Sequence, residues 1–475
     1  MGYIEGQSRD QTTLFPEVID DYICEDNPVR FIDAFVDNLN LKELGFKNAI
    51  ENATGRPPYH PADMLKLFIY GYINRIRTGR TLEKAAHCNL EIIWLIRKLT
   101  PDFKTICDFR KDNQQAIKKV CREFILLCRR LELFSAELVA IDGSKFRAVN
   151  NSERAYSKKK LEKIIQRIDK QIEDYLKALE LSEANESSYE KTSAEELKRK
   201  IQHIRERKQK CKNMLTQLEK EHKTQLSETD PDSRLMKTSN GIKSSYNVQI
   251  AVDAKHKLIA AQDVTNDVVD KNQLSNMALQ AKQNMNADKF DTVADMGYYH
   301  GHEVQACLDA GITPYIPKAY TSANTKQGLY GKERFEYNAQ NDCYICPAKQ
   351  TLNYRFTTRE KNRTIRYYTA TACKNCQLKV KCTRNKESRR ITRWVDEDIL
   401  EAMDKRVRAN PMMMDYRKQL VEHPFGTMKR WMNQGYFLMR GLDKVRTEFS
   451  LTVLAYNIKR VINIIGVKNM VTALA

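Results

Sequence analysis

The sequence predicts a mixed α/β fold in which helices cover both faces of a mixed sheet. Two observations support this. Five short apolar runs have the length and flanking turn residues of strands, and helix-like periodicity separates the later ones. The predicted strands are residues 137–142, 246–253, 258–264, 291–295 and 311–317. The polar turn at 254–257 predicts that the second and third pair directly, and a helix is predicted over about 272–284.

The charge of the chain indicates a nucleic-acid partner. Its 475 residues contain 80 Lys and Arg against 61 Asp and Glu, a formal net charge of +19. A strong basic excess is the electrostatic signature of a protein that binds phosphates. The sequence has no apolar run of about 18 residues, so no membrane span is expected. The N-terminus does not resemble a signal segment, which predicts a cytoplasmic protein whose 12 cysteines are mostly reduced.

Residues 1–135 are predicted to form a helical N-terminal domain for DNA binding or dimerisation. Segments 61–70 and 82–99 have helical periodicity, and Thr81 is a cap-like residue before the second. A helix-turn-helix would explain three arginines near the intervening turn, and an all-helical dimerisation domain would give the same pattern. These arginines are Arg75, Arg77 and Arg80.

Residues 152–224 are predicted to form a coiled-coil helical hairpin inserted into the sheet domain. Apolar residues recur at steps of four and three over 161–179 and again over 197–218, and residues 182–188 between them are turn-like. The pattern is typical of two antiparallel helices that extend a charged surface. An arm that tracks DNA or dimerises is the alternative.

A second insertion, residues 325–390, is rich in cysteine and predicts a zinc site. Cys373 and Cys376 have the two-residue spacing with which a tight turn presents two thiolates to a tetrahedral ion. Cys346 and Cys382 complete the predicted set of four. Cys343 could replace one of these, and an iron–sulfur cluster would use the same four thiolates.

Three carboxylates are candidates for binding divalent metal ions. Asp142 and Asp295 each end a predicted strand, and Glu422 lies on a predicted helix. Lys429 follows Glu422 by seven residues, or two helical turns, so both side chains share one face. Pro424 is expected to kink this helix because it cannot donate a hydrogen bond to the Leu420 carbonyl.

These motifs together resemble the bacterial insertion-sequence transposases of the DDE type. The resemblance rests on Ile-Asp-Gly-Ser-Lys at 141–145, Ala-Asp-Met-Gly-Tyr-Tyr at 294–299, and the Glu422 and Lys429 pair. Segments 56–61 and 101–110 are similar to the leader domain of these proteins. The resemblance implies a ribonuclease H-like catalytic domain over 136–475, interrupted by the two insertions. The family often places Tyr and Arg seven and four residues before the Glu, where this chain has Asp415 and Lys418.

The resemblance also implies roles for individual residues. Asp142 would bridge two Mg²⁺ or Mn²⁺ ions, and Asp295 and Glu422 would each hold one, because hard cations prefer oxygen ligands. The predicted contacts to DNA are Lys429, Arg430, Lys145, Tyr298 and Arg417. His423, beside the catalytic Glu, is a further candidate.

The function implied is transposition: binding of double-stranded transposon ends, cleavage of phosphodiester bonds, and joining of 3′-hydroxyl ends to target DNA. A homodimer or larger assembly is expected on DNA. Two alternatives remain from the sequence, a metal-dependent nuclease without strand transfer and a DNA-binding protein that has lost catalysis.

Overall fold

The centre of the molecule is a six-stranded mixed sheet. The computed structural model describes residues 18–50, 57–183, 188–221, 223–318, 323–360 and 363–474. The strands of this sheet are β1 (Leu138–Arg147), β4 (Arg234–Thr238), β5 (Gly241–Asp253), β6 (Ile259–Thr265), β7 (Phe290–Val293) and β8 (Ile312–Tyr315). A separate two-stranded ribbon consists of β2 (Ala155–Ser157) and β3 (Gln225–Ser227).

The order of the strands is that of the ribonuclease H-like fold. β1 pairs antiparallel with β5, which pairs antiparallel with β6 along its second half and with β4 along its first. On its other edge β1 pairs parallel with β7, and β7 pairs parallel with β8. The five strands predicted from the sequence are all present, and the predicted mixed α/β fold class is confirmed.

Helices cover both faces of the sheet, which explains why its strands are apolar runs. In β5, Tyr246, Val248 and Ile250 pack into one core, while Ala251 faces the other. The second core contains residues of α10 (Leu274–Met285), α11 (Gly301–Asp309) and α14 (Glu397–Ala409). The first contains residues of α15 (Met412–Gly426), α16 (Leu442–Ile465) and α17 (Val467–Thr472).

The chain before β1 is helical over its described residues. Its helices are α1 (Pro28–Asp37), α2 (Leu41–Leu44), α3 (Pro61–Ile73), α4 (Gly79–Cys88), α5 (Leu90–Leu95), α6 (Phe103–Asp112) and α7 (Gln114–Arg130). Helices α3 and α7 both pack against α16, so the helical region shares one apolar core with the sheet. Helix α16, which also packs on β6, therefore joins the two parts.

The chain between β2 and β3 forms two long helices, α8 (Lys158–Glu183) and α9 (Ser188–Lys220). They run antiparallel, since Lys158 near the start of α8 pairs with Glu219 near the end of α9, at 2.8 Å. Leu161, Cys211 and Leu218, all in the predicted heptad runs, form a small core between them. The predicted turn at 182–188 lies mostly outside the described residues.

A five-stranded antiparallel sheet follows β8, preceded by α12 (Ala323–Lys326). Its strands are β9 (Glu336–Asn338), β10 (Cys343–Ile345), β11 (Thr351–Glu360), β12 (Arg363–Thr369) and β13 (Arg390–Trp394), and α13 (Lys379–Cys382) lies between the last two. We call this sheet with α13 the cysteine module.

Helix α15 continues through Pro424 and ends in a π-helical turn, Thr427–Trp431. The Met432 amide donates to the Thr427 carbonyl at 2.8 Å, a bond that spans five residues. Such π turns are often found at functional sites. Within the described part of the chain, no helix combines the length and apolarity required to cross a membrane.

Candidate catalytic site

Asp142 and Asp295 lie at the same edge of the central sheet. Asp142 is in the middle of β1, two residues beyond Ala140, which is paired with Val293 of β7. Asp295 follows Val293 by two residues and begins a short 3₁₀ turn, in which its Oδ1 accepts from the Gly297 amide at 2.7 Å. Because β1 and β7 are parallel, the two carboxylates emerge side by side.

Asp142 is partly buried and lies beside other acidic side chains. Burial raises the pKa of its carboxyl group to about 6, Arg417 opposes this rise, and the nearby charges of Asp295 and Asp270 add to it. Oδ1 accepts from the Gly143 amide at 2.9 Å, and Oδ2 lies 3.4 Å from Nη1 of Arg417. A carboxyl group under these influences is suited to binding cations, which would replace the repulsion among the aspartates with attraction.

Asp270 is a third carboxylate beside Asp142 that the sequence did not reveal. It follows β6 in a loop, and its Oδ1 accepts from Lys145 at 3.1 Å, Asn247 at 2.7 Å and Gln249 at 2.8 Å. These donors are on β1 and β5, so Asp270 fixes side chains behind Asp142. Its only sequence signal is that an aspartate follows a predicted strand.

Lys429 lies over β1, two residues beyond Asp142 along the strand. Its Nζ donates to Ser144 Oγ at 2.5 Å and lies 5.0 Å from the centre of the Phe146 ring. Burial lowers the pKa of Lys429, and the Asp142 charge opposes that effect. The structure therefore brings Lys429, Arg417 and two of the three predicted carboxylates to one place.

Glu422 is exposed on the helix that covers this edge of the sheet. Leu420 and Val421 bury the neighbouring face of α15 in the core, and Arg417, five residues before Glu422, reaches Asp142. Among the described residues, no three ligand side chains are already close enough to hold a metal ion. Two carboxylates together and a third on the covering helix still match the oxygen ligands that Mg²⁺ prefers.

The other predicted DNA contacts lie in different environments. Arg430 is exposed, whereas Lys145 and Arg417 have only 16% and 18% of their side chains accessible and pair with Asp270 and Asp142. Tyr298 is fully buried and its hydroxyl donates to Gln249, so its prediction as a direct DNA contact is wrong. His423 Nδ1 lies 3.1 Å from the Tyr456 hydroxyl.

Arg77 also differs from the expectation that it lies on a DNA-reading surface. It is buried, lies 3.6 Å from the buried carboxylate of Glu448, and donates to the carbonyls of Asn433 and Tyr436. It therefore ties the helical region to the segment after the π turn. Arg75 and Arg80 remain exposed.

Four cysteines of the cysteine module line one cavity of about 20 Å³. They are Cys346, Cys373, Cys376 and Cys382. Burial raises the pKa of Cys382, the Arg389 charge opposes this, and the other three thiols contribute. Cys343 is buried in β10 and does not line the cavity. The structure thus gathers the four cysteines chosen from the sequence and leaves Cys343 outside.

The Cys346 sulfur already accepts a backbone hydrogen bond, from the Gln350 amide at 3.3 Å. Amide donors of this kind stabilise a thiolate and are common around metal-bound cysteine. Within the described residues, the four thiols are not yet arranged to hold a metal ion. The donor set fits a tetrahedral soft cation, and the thiols form no disulfide.

Two transposase family models match parts of the chain. Residues 345–462 match the model "Transposase DDE domain", a span that includes Glu422 and Lys429. Residues 17–112 match a second model, "Transposase domain (DUF772)". These two matches support an insertion-sequence DDE transposase. DDE transposase domains generally use divalent metal ions, which agrees with the carboxylates described above.

No curated protein matches this transposase significantly. Among solved structures it is similar to a piggyBac transposase synaptic complex with hairpin DNA, at 8% sequence identity. The alignment covers 92% of this chain and 82% of the other, with a TM-score of 0.27. At this identity and TM-score the likeness supports no statement about the site.

Proposed function

We propose that this transposase cuts phosphodiester bonds at the transposon ends and joins the freed 3′-hydroxyl ends to target DNA. Asp142, Asp295 and Glu422 would hold two divalent ions, Mg²⁺ or Mn²⁺. The observation that carries the proposal is that Asp142 and Asp295 emerge side by side from the parallel strands β1 and β7. Each adds to the negative field of the other, so together they attract cations.

The two ions would supply the nucleophile, by lowering the pKa of water or of a 3′-hydroxyl, and stabilise the departing oxygen. The residues of this chain would do the rest. Glu422 is on the helix over the two aspartates and would complete the ligand set from the solvent side. Lys429, held by Ser144 and largely shielded from water, would contact a phosphate of the DNA. No covalent bond between enzyme and DNA is required.

Cleavage of labelled DNA that carries the element's own ends tests the proposal. The isosteric variants Asp142→Asn, Asp295→Asn and Glu422→Gln should bind the ends but not cut them in Mg²⁺. Asp415→Asn is the matched control, because Asp415 is exposed on the same helix two turns before Glu422. A carboxylate variant that cuts at the wild-type rate is not a ligand and would remove that residue from the proposal.

A second assay separates transposition from simple hydrolysis. Pre-cleaved ends with a free 3′-hydroxyl are mixed with a target plasmid, and joined products are measured. Joining by the wild-type protein, and its loss with 3′-deoxy ends, would support strand transfer. Cutting without joining would identify a nuclease, and neither activity would identify a DNA-binding protein that has lost catalysis.

We also propose that Cys346, Cys373, Cys376 and Cys382 hold a structural Zn²⁺. The support is that the four thiols line one cavity and that the Cys346 sulfur accepts the Gln350 amide. Purified protein should contain one zinc by elemental analysis, and Cys373→Ser should lose it. Cys343→Ala is the control, since that thiol is outside the cavity. Iron with visible charge-transfer absorption would indicate a cluster instead.

For the helical region before β1, we propose DNA binding or dimerisation, as its sequence suggests. Exposed Arg75 and Arg80 are the basic side chains near its turn that remain available, because Arg77 is bound to Glu448. Light scattering of the protein with and without end DNA would give the number of copies. Arg75→Ala with Arg80→Ala should weaken end binding if this turn contacts DNA.

A further inference from the structure

The positive charge of the chain is concentrated in the cysteine module. Residues 345–395 contain 14 Lys and Arg and only 2 Asp and Glu, in a chain whose net charge is +19. Several of these cations are exposed on neighbouring strands, among them Arg355 and Arg359 of β11 and Arg390 of β13. Four thiols and a small apolar core do not require this charge, so the excess indicates a polyanionic partner.

The sheet of the module also presents stacked aromatic rings to solvent. Phe356 of β11 is paired across the ladder with Tyr367 of β12, and their rings stack with centres 4.7 Å apart and planes 13° from parallel. Phe356 is 41% exposed. In the next strand Thr392 is paired with Tyr367, and Arg390 of that strand lies close enough to influence the tyrosine. Exposed aromatic rings beside arginines are the usual elements of a surface that binds nucleic acid.

This face of the sheet continues toward the catalytic site. Side chains alternate along a strand, so Ile365 and Tyr367 share a face, as do Thr392 and Trp394. The Trp394 ring packs on His302, with ring centres 5.2 Å apart, and lies so close to Gly301 that no side chain would fit there. Gly301 begins α11, six residues beyond Asp295. The Tyr367–Thr392 pair is therefore the next pair along this face from Ile365 and Trp394, and Trp394 contacts the start of α11, just after the loop that carries Asp295.

Arg363 alternates with Ile365 and Tyr367 along β12 and so lies on the same face. We propose that this face, formed by Arg355, Phe356, Arg363, Tyr367 and Arg390, is a docking surface that holds the transposon-end DNA beside the catalytic site. The arginines contact phosphates, and the Phe356 and Tyr367 pair packs against a base or sugar near the cleaved end. The inference deepens the proposed function, on which it rests. DNA is the partner because charge complementarity favours a polyanion and because the surface adjoins the residues proposed to cut DNA.

Binding of labelled end duplex, measured by fluorescence anisotropy at several salt concentrations, tests the surface. The variant combines Arg355→Ala, Arg363→Ala and Arg390→Ala. The control combines Lys163→Ala, Arg167→Ala and Lys170→Ala, which removes the same charge from exposed positions of α8. The slope of log affinity against log salt should fall by about 2 to 3 in the variant and stay near the wild-type value in the control.

The aromatic pair is tested by Phe356→Ala, which should weaken end binding about fivefold or more, while Phe356→Tyr should restore it. Thermal melting shows whether each variant is folded. If the sheet variant and the α8 control are both folded and show the same slope of log affinity against log salt, the proposed docking surface is wrong. That failure is distinct from failure of the proposed function, which would appear as normal cutting by Asp142→Asn or Glu422→Gln.

Discussion

Removing the charge of Arg417 should change the pH at which the proposed catalytic site accepts metal ions. Arg417 Nη1 lies 3.4 Å from Asp142 Oδ2, and its charge is the largest influence that lowers the pKa of this buried carboxyl group. The other charges near Asp142 are Asp295 and Asp270, which raise its pKa, and Lys429, whose own pKa responds to Asp142. Arg417→Gln therefore removes the positive charge that opposes burial and the two neighbouring aspartates, so the pKa of Asp142 should rise.

The size of the effect follows from the contact. An adjacent cation lowers the pKa of a carboxyl group by about 1 to 3 units. Without Arg417, the pKa of Asp142 should rise from about 6 by a comparable amount, so most of the carboxyl groups are protonated at neutral pH. Because metal ions bind the ionised form, the pH at which Mn²⁺ binding is half lost should move upward by about 1 to 3 units.

The same pKa governs stability in the metal-free protein. Its folded value, about 6, is above the ordinary 3.8, so the folded state holds this proton more tightly. The resulting stabilisation is fully present below the ordinary value and is lost as the pH rises through the folded value. The loss at neutral pH is about 3 kcal/mol from a shift of this size. Arg417→Gln should enlarge it.

Isothermal titration calorimetry with Mn²⁺ between pH 5 and pH 9, without DNA, measures the shift directly. Arg417→Lys is the control, because it keeps the positive charge and should titrate near the wild-type protein. The reasoning is refuted if Arg417→Gln and wild type lose Mn²⁺ binding at the same pH. It is also refuted if wild-type binding does not weaken as the pH falls through 6.

Three further predictions concern stability, each measured as the free energy of unfolding in urea. Glu448→Ala should cost about 3 to 5 kcal/mol because it leaves Arg77 buried without its carboxylate, and Glu448→Gln should cost less; equal costs would contradict this account. Phe146→Ala should cost about 3 to 5 kcal/mol, since its fully buried ring contacts three other phenylalanine rings, with Phe146→Leu milder; a loss below 1 kcal/mol would be inconsistent with that packing. Asp253→Ala should cost at least about 2 kcal/mol, because this buried carboxylate accepts the backbone amides of Ser135, Ala136 and Lys255; a neutral change would show that water replaces it.

The strands were predictable because burial on both faces makes each of them an apolar run. Such a run can be read from the sequence without knowing which strands pair with each other. The end of β1 was not predictable to the same degree. The sequence suggested an end at Asp142, yet the strand continues to Arg147 through Gly143 and Ser144, which are typical of turns. Pairing with β5 out to Ser245 overrides that local preference, and it brings Lys145 and Phe146 into the site and the core.

The sequence could not predict which side chains pair with each other when they are far apart along the chain. Arg77 lies with two other arginines near a predicted turn between helices, which is typical of a DNA-reading segment. Only the fold shows that it pairs with the carboxylate of Glu448, 371 positions later. Asp270 was missed for the same reason, since Lys145 and Gln249 approach it only once β1 and β5 pair. The choice between Cys343 and Cys382 was open by spacing and depends on which thiol faces the cavity.

The cysteine module lies in sequence between Asp295 and Glu422, and its attachment bears on how both are held. Arg393 at the end of its sheet pairs with Glu401, and Lys332, four residues before the sheet begins, pairs with Glu397 at 2.5 Å. Two cations, one in the module and one just before it, therefore bind carboxylates of α14. Helix α14 packs on α11 and β8 and leads directly into the Glu422 helix. Loss of the thiol cluster should therefore disturb the carboxylates proposed to be catalytic as well as the module, which predicts that Cys373→Ser reduces cleavage even where end binding is retained.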